Sequence, residues 1–208
     1  MKFNEFLANI ERLRSTPLGG QAAQFKLAPK LRLRYDENKI KASNPKKAAV
    51  LALFYPNEEN ETIFLLTQRA SYKGTHSAQI SFPGGKIENT DQTLAETALR
   101  EANEEVGIFK EDVKIIREIT DVYIPPSNFL ATPFIGYSKK KPSFIINEEV
   151  ASTIEVKVTD LLDDRNIDSI EMDTSYMKKI HVPCFRLNNH VVWGATGMML
   201  SEIKEMLK

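Results

Sequence analysis

The segment from Phe82 to Ile108 constrains the fold most, because a Pro-Gly-Gly turn in it leads into a helix with clustered carboxylates. At about 100° per residue, Glu104 and Glu105 lie at about −60° and +40° from Glu101 around that helix. Beside this acidic edge runs an apolar stripe for the core, made of Leu94, Ala95, Ala98, Leu99, Ala102 and Val106. Carboxylates along the margin of a core repel one another and lose hydration unless a cation compensates them. The pattern therefore predicts that Glu101, Glu104 and Glu105 bind a hard divalent cation, Mg²⁺ or Mn²⁺.

These residues resemble the Nudix box, the loop-helix-loop signature of the Nudix hydrolases. The matching residues are Gly85 and the pairs Arg100-Glu101, Glu104-Glu105 and Gly107-Ile108. The family hydrolyses nucleoside diphosphates linked to another moiety, so the resemblance implies a metal-dependent pyrophosphohydrolase. It implies an α/β (α+β) fold, a Nudix-type α/β/α sandwich with a mixed sheet. It also implies that Glu101 and Glu105 are metal ligands, that Glu104 contributes to the cluster, and that Arg100 orients a glutamate.

One departure from the usual box points to a subfamily. The box is one residue longer than usual, and Asp91 stands where the usual box has a glutamate. The coenzyme A pyrophosphatases share this departure, and this chain resembles them in three further segments, Leu65–Ala70, His76 with Gln79–Gly85, and Trp193–Thr196. The resemblance implies cleavage of coenzyme A or acyl-coenzyme A to 3′,5′-ADP and (acyl-)4′-phosphopantetheine. Subfamily members usually have Leu-Arg where this chain has Lys73-Gly74.

Five further residues are candidates for contacting the substrate. Arg69 and Lys73 carry charges suited to nucleotide phosphates. Gly84 and Gly85 allow the backbone to approach a phosphate or shape the start of the helix. His76 is a candidate because it stands just before the Gln-x-x-Phe-Pro-Gly-Gly run.

Three other features have both a structural and a functional interpretation. Glu148 and Glu149 have the character of exposed acids, although some Nudix enzymes take their catalytic base from a loop in this part of the chain. The loop Pro125–Phe129 is a rigid turn or a wall of the substrate pocket. Trp193 is expected in the core.

Composition indicates a soluble enzyme with one sizeable core, since 42% of the 208 residues are hydrophobic and 27% are charged. Lys plus Arg and Asp plus Glu balance at 28 each, so we expect neither a nucleic-acid nor a membrane partner. The single cysteine excludes an internal disulfide and a multi-cysteine zinc site. With no apolar run of about 18 residues and no signal-peptide core, we expect a cytoplasmic protein. A homodimer is left open.

The hydrophobic pattern predicts a helix over 3–14, an irregular extension over 17–43, and a helix from about Asp91 to Gly107. Strands are expected at Ala48–Tyr55, Thr62–Thr67, Gln79–Phe82, Val113–Val122, Ala131–Tyr137, Thr153–Val158, His181–Arg186 and His190–Trp193, and a last helix over 195–207. Residues 1–44 are therefore expected to be an N-terminal helix and irregular extension packed on a Nudix hydrolase domain of residues 45–208.

Two alternatives to coenzyme A hydrolysis remain at this point. One is a Nudix hydrolase of another substrate, such as ADP-ribose, NADH or a damaged nucleotide. The other is a non-catalytic Nudix module that binds a ligand without turning it over. A substrate panel separates the first from coenzyme A hydrolysis, and binding without turnover in Mg²⁺ would indicate the second.

Overall fold

The computed structural model describes residues 1–70, 79–172 and 179–208. The strands there are β1 (Lys46–Pro56), β2 (Thr62–Arg69), β3 (Ile80–Ser81), β4 (Gly84–Lys86), β5 (Lys114–Glu118), β6 (Val122–Ile124), β7 (Phe129–Tyr137), β8 (Val150–Lys157), β9 (Ile167–Met172), β10 (Ile180–Leu187) and β11 (His190–Trp193). The helices are α1 (Phe3–Ala8), α2 (Ile10–Ser15), α3 (Gly20–Gln24), α4 (Glu37–Ala42), α5 (Leu94–Val106), α6 (Val158–Leu162) and α7 (Gly194–Leu207). Short 3₁₀ turns occupy Phe25–Leu27, Lys30–Arg34, Lys110–Asp112 and Asp164–Asn166. No helix in the described ranges is long and apolar enough to cross a membrane.

The large sheet is mixed, as the sequence predicts. Its strand order is β3-β2-β1-β7-β5, with β4 paired to β1, β6 to β7 and β8 to β2. The β1–β7 pair is parallel, whereas the neighbouring pairs β1–β2, β1–β4 and β6–β7 are antiparallel. A smaller sheet has the order β11-β10-β9. The long parallel pairing of β1 with β7 therefore forms the centre on which the other strands assemble.

Alternate residues of β1 face two different hydrophobic clusters. Ala52 and Phe54 belong to a cluster that includes residues of α1, α2 and α7. Leu51 and Leu53 point to the opposite side and pack with Ala98, Ala102 and Val106 of α5. This period-two alternation buries both faces of a central strand. Helices therefore cover both faces of the sheet, and the expected α/β/α sandwich is confirmed.

Several predicted elements differ from the observed ones. The helix expected over 3–14 is two helices, since the Asn9 side chain donates to the Glu5 carbonyl at 2.8 Å and competes with the helical pattern. The irregular extension over 17–43 contains α3, α4 and two 3₁₀ turns. The strand expected over Val113–Val122 is split into β5 and β6, because Thr120 leaves the ladder to donate to Glu202 at 2.7 Å. β9 was not predicted.

Glu202 of α7 ties the N-terminal residues to the C-terminal helix. Its carboxylate is fully buried and accepts from the Gly20 N–H at 3.0 Å and from Gln24 Nε2 at 2.9 Å, besides the Thr120 hydroxyl. Buried carboxylates are tolerated when hydrogen bonds compensate them. The Phe6 ring of α1 also stacks on Phe54 at 5.0 Å. The domain boundary between residues 44 and 45 stays a prediction. These contacts pack the residues before it against the residues after it.

Candidate active site

Helix α5 presents the clustered glutamates, and its ends are set by local signals. Thr93 caps its start, accepting from the Glu96 N–H at 3.2 Å, and Gly107 ends it in the left-handed conformation with φ 74°. The predicted capping residue, Asp91, therefore lies two residues before the observed one, Thr93. Asp91 stands outside the helix and is used in a different contact, described below.

The glycine turn before α5 brings backbone against two of the glutamates. The Gly84 N–H donates to Glu105 Oε2 at 3.1 Å. Gly84 has φ 155° and a Cβ there would lie 2.6 Å from Val50 Cα, so the close approach of β4 to β1 requires glycine. A Cβ on Gly85 would lie 2.5 Å from the carboxylate of Glu101. Both glycines therefore make room, one for a neighbouring strand and one for a carboxylate.

Arg100 joins the loop before α5 to the glutamates on α5. Its Nε and Nη2 donate to the two oxygens of Asp91 at 3.0 Å each, and Nη2 also donates to the Lys86 carbonyl. Its Nη1 lies 3.0 Å from both Glu101 Oε1 and Glu104 Oε2. The Asp91 ion pair lowers the pKa of that carboxyl to about 2. Arg100 therefore contacts two of the predicted metal ligands while its other donors are held by the loop.

Arg69 of β2 bridges Glu105 and a loop acid. Its Nη1 lies 3.3 Å from Glu105 Oε1 and its Nη2 lies 3.2 Å from Glu149 Oε2. Within the described part of the chain its Nε is buried and has no hydrogen-bond partner. Glu149, one of the two loop acids singled out in the sequence, therefore belongs to the same cluster as Glu105.

The buried carboxylates are electrostatically strained. Burial raises the pKa of Glu105 to about 7, against the lowering effects of the Gly84 N–H and of Arg69. Burial also raises the pKa of Glu101, against the lowering effect of Arg100. The charges of Glu101 and Glu149 each add to the rise at Glu105. A further cation near this cluster would therefore favour its ionised form.

A cavity of about 460 Å³ opens beside the cluster. Its glutamate end is lined by Arg69, Gly84, Gly85, Glu101, Glu105 and Glu149. The rest of the lining is mostly apolar or aromatic and includes Tyr35, Ile80, Ile124, Pro125, Pro126, Phe129 and Trp193, with Arg32, Gln79, Ser81, Lys86, Ser127 and Thr196 as its polar or charged members. This volume lies within the range of small-ligand pockets, roughly 300–1,000 Å³. The cavity therefore joins an anionic end with glycine backbone to a larger apolar end.

Residues 45–173 match the family model described as NUDIX domain. This match covers more than half of the 208 residues. The chain belongs to the Nudix hydrolase family.

Similar Nudix proteins come from plants and bacteria. Nudix hydrolase 15, mitochondrial, of Arabidopsis thaliana is 32% identical over 164 residues, 75% of this chain and 56% of that protein, so the chain spans little more than half the length of that relative. The Nudix hydrolase NudL of Yersinia pestis is 30% identical over 149 residues, 71% of this chain and 73% of NudL. The crystal structure of a MutT/nudix family protein from Enterococcus faecalis aligns with a TM-score of 0.52 at 12% identity, over 86% of this chain and 75% of that one. That structural likeness concerns the fold alone.

The Nudix glutamates are chemically suited to a divalent cation, but they are held by protein cations here. Within the described residues, no group of three or more His, Cys, Asp or Glu side chains is arranged to hold a metal ion. Arg100 engages Glu101 and Glu104, and Arg69 engages Glu105. Hard divalent cations prefer oxygen ligands such as these carboxylates. Two of the carboxyl groups, Glu101 and Glu105, have raised pKa values. The metal site stays a prediction that this donor set fits.

The predicted site residues do not all lie in the cavity. Glu104 has a side chain that is 53% exposed, and neither it nor Arg100 lines the cavity. Lys73 and His76 lie outside the described residues. Trp193, expected in the core, is half-buried and lines the cavity. The Pro125–Phe129 loop contributes a cavity wall, which was the functional interpretation of that loop.

Sequence reasoning missed three cavity residues from the N-terminal extension, which are Pro29, Arg32 and Tyr35. They lie in or beside the 3₁₀ turn Lys30–Arg34, in a polar segment without helical or strand periodicity. No sequence pattern predicted where this segment packs. Its place in the cavity lining follows only from its tertiary contacts.

Proposed function

We propose that this Nudix protein hydrolyses the pyrophosphate of a coenzyme A-like nucleotide, with a divalent cation as cofactor. The observation that carries the proposal is the meeting of Glu101 and Glu105 with Gly84 and Gly85 at one end of the cavity. The lengthened box with Asp91 and the Trp193–Thr196 segment favour coenzyme A or an acyl derivative among nucleotide pyrophosphates. The cytoplasmic location expected from the sequence stays a prediction.

Glu101 and Glu105 would hold Mg²⁺ or Mn²⁺, with Glu104 beside them. When bound, the cation supplies charge neutralisation at phosphate oxygens and makes a water more acidic. Arg100 keeps Glu101 and Glu104 oriented through hydrogen bonds of 3.0 Å, while Asp91 holds its other donors. Arg69, anchored between Glu105 and Glu149, lines the cavity with a guanidinium whose charge suits a phosphate. The protein thereby positions and compensates charge, and no covalent enzyme intermediate is needed.

The reaction balances as a simple hydrolysis. Water attacks one phosphorus, the bond from that phosphorus to the bridging oxygen breaks, and the bridging oxygen leaves with the other phosphate. For coenzyme A the products are 3′,5′-ADP and 4′-phosphopantetheine. The apolar part of the cavity, with Pro125, Pro126 and Trp193, suits the less polar portions of such a molecule.

The deciding experiment is identification of products after incubating the protein with coenzyme A and Mg²⁺. Appearance of 3′,5′-ADP and 4′-phosphopantetheine in equal amounts is the expected result. ADP-ribose and NADH belong in the same panel, and a higher kcat/KM for either of them would overturn the coenzyme A assignment. Ligand binding without any product in Mg²⁺ would overturn hydrolysis and indicate a binding module.

A further inference from the structure

Both oxygens of the Glu105 carboxylate are engaged by other groups of the protein. Oε1 lies 3.3 Å from Arg69 Nη1, and Oε2 accepts from the Gly84 N–H at 3.1 Å, in a side chain that is only 4% exposed. A divalent cation that binds Glu105 would share this buried carboxylate with the guanidinium of Arg69. Positive charges so close repel one another strongly where water is excluded. Arg69 and a bound cation therefore compete for Glu105.

Arg69 is held more weakly than Arg100, the other arginine of the cluster. Arg100 donates twice to Asp91 and once to the Lys86 carbonyl, each at 3.0 Å, besides its contacts with the glutamates. Arg69 has two longer contacts, at 3.3 and 3.2 Å, and its buried Nε has no hydrogen-bond partner among the described residues. Leaving its glutamate therefore costs Arg69 less than it would cost Arg100.

Glu149 provides the second anchor of Arg69. Its Oε2 lies 3.2 Å from Arg69 Nη2, and its side chain is 59% exposed. The backbone of Glu149 is fixed, because its carbonyl accepts from the Ala70 N–H at 2.8 Å and its N–H donates to Asn147 Oδ1 at 2.9 Å. The Asn147 N–H in turn donates to the Glu105 carbonyl at 3.1 Å. A guanidinium that leaves Glu105 therefore keeps a partner in Glu149, which lines the same cavity.

We propose that Arg69 is an exchangeable counter-ion of Glu105, and that Glu149 is the positioning residue that retains Arg69 at the cavity when Glu105 binds a divalent cation. After the exchange, Nη1 of Arg69 is released to pair with a phosphate oxygen of the substrate. This inference rests on the metal-dependent hydrolysis proposed above and links metal binding to substrate binding through one arginine. Removing Arg69 should therefore have opposite effects, with tighter binding of the cation and weaker binding of the nucleotide.

Calorimetry with Mn²⁺ alone, without any nucleotide, tests the competition. A pH of about 8.5 is suitable, because burial raises the pKa of Glu105 to about 7. Arg69→Gln should bind Mn²⁺ at least about fivefold more tightly than wild type, the lower end of usual coupling effects. Lys86→Gln is the matched control and should stay within about twofold, because Lys86 lines the same cavity but is exposed, so that solvent and salt screen its charge. Equal tightening in both variants would indicate a general charge effect and overturn the exchange.

A double-mutant cycle tests the role of Glu149. Glu149→Gln removes the partner that retains the released Arg69, so Mn²⁺ binding should weaken by about fivefold. Glu148→Gln is the control and should stay within about twofold, since Glu148 is the neighbouring exposed acid and does not line the cavity. In the Arg69→Gln background, Glu149→Gln should have no further effect, because no guanidinium remains to be retained. A loss of the same size with and without Arg69 would make Glu149 a direct ligand and overturn its positioning role.

The Glu149 comparison stands even where Arg69→Gln is unstable, because substitutions of exposed side chains rarely unfold a protein. Equal Mn²⁺ binding by wild type, Glu149→Gln and Glu148→Gln would overturn the proposal by itself.

Kinetics with coenzyme A separate failure of this inference from failure of the proposed function. At saturating Mn²⁺, Arg69→Gln should raise KM for coenzyme A at least about fivefold, although it binds the cation more tightly. An arginine that only stabilises the fold would weaken both. The expected Mn²⁺ binding pattern without coenzyme A cleavage would sink the proposed function and keep the exchange. Cleavage with Mn²⁺ binding unchanged or weakened in Arg69→Gln would overturn the exchange and keep the function, and absence of Mn²⁺ binding by wild type would overturn both.

Discussion

Arg100 and Asp91 form a two-pronged ion pair, with Nε–Oδ1 and Nη2–Oδ2 distances of 3.0 Å each. Asp91 also accepts from the Thr97 hydroxyl at 3.0 Å and from the Glu88 N–H at 2.9 Å. The lengthened loop is thereby pinned to the first two turns of α5. Since the remaining Arg100 donor reaches Glu101 and Glu104, the unusual aspartate of the box acts on the glutamates through this arginine.

Replacing Asp91 with Asn should destabilise the protein by about 2 kcal/mol at pH 7, because Arg100 loses a charged partner. The folded-state pKa of Asp91 is lowered to about 2 from an ordinary 3.8. Its stabilising contribution is therefore complete above pH 4 and is lost as the pH falls toward about 2. Urea unfolding of both proteins at pH 7 and pH 3 measures this, and the difference should shrink at the lower pH. Asp112→Asn, at an exposed aspartate, is the control, and a difference independent of pH would contradict the ion-pair account.

Removal of divalent cations should abolish turnover, because burial raises the pKa of Glu105 to about 7 despite the lowering effect of Arg69, so the cluster lacks a sufficient compensating charge. Exhaustive EDTA treatment followed by addition of Mg²⁺ or Mn²⁺ tests this, with activity restored only by the metal. Mg²⁺ should also raise the Tm of the wild type by binding the folded state. Undiminished hydrolysis in chelator would remove the metal from the mechanism.

Glu105→Gln should lower kcat at least about 100-fold, the scale associated with loss of a charge-stabilising group. The fold should persist, because glutamine keeps the size and can still accept from the Gly84 N–H. Steady-state kinetics and thermal unfolding of the same preparation separate these effects. Glu88→Gln, at an exposed glutamate outside the cavity lining, should stay within about twofold. A Glu105 variant within about fivefold of wild type, under about 1 kcal/mol of barrier, would exclude a ligand role.

The two glycines before α5 should respond differently to alanine. Gly85→Ala places a Cβ 2.5 Å from the Glu101 carboxylate, which is a flexible group, so kcat should fall at least about tenfold while Tm changes little. Gly84→Ala places its Cβ 2.6 Å from Val50 Cα at a φ of 155°, so the whole β4–β1 contact must shift and Tm should fall. Kinetics and thermal unfolding of both variants test the contrast. Equal effects of the two on stability would contradict the distinct roles assigned to them.

The sequence predicted the centre of this protein well and its edges poorly. The apolar alternation of β1 and the stripe of α5 reflect burial against the core, so local pattern and tertiary structure agree there. The capping residue of α5 was placed two residues early because Asp91 and Thr93 are both good capping residues, and the choice between them depends on Arg100. β9 escaped prediction because its residues are mostly exposed and it forms the edge of the small sheet.

The candidate site was predictable where residues are close in sequence. The glutamates and glycines of the box lie together as their spacing implies, and Glu101, Glu105, Gly84 and Gly85 all line the cavity. Glu149 lies 44 residues after Glu105 in the chain and reaches the same cavity through sheet pairing. Arg32 lies 53 residues before Gly85 and reaches it through packing of the N-terminal extension. Contacts over such separations depend on the whole fold and leave no periodic signal in the chain.

The buried Glu202 makes the two ends of the chain one cooperative unit. A shortened protein beginning at residue 45, where the family match starts, would lose the Gly20 and Gln24 donors and uncover the Phe54 ring. The loss of these hydrogen bonds would destabilise α7, which lies more than 150 residues after Gly20 and Gln24 in the chain. Trimming the N-terminus would therefore register as local melting of the C-terminus, and proteases would attack first at the end that was left intact.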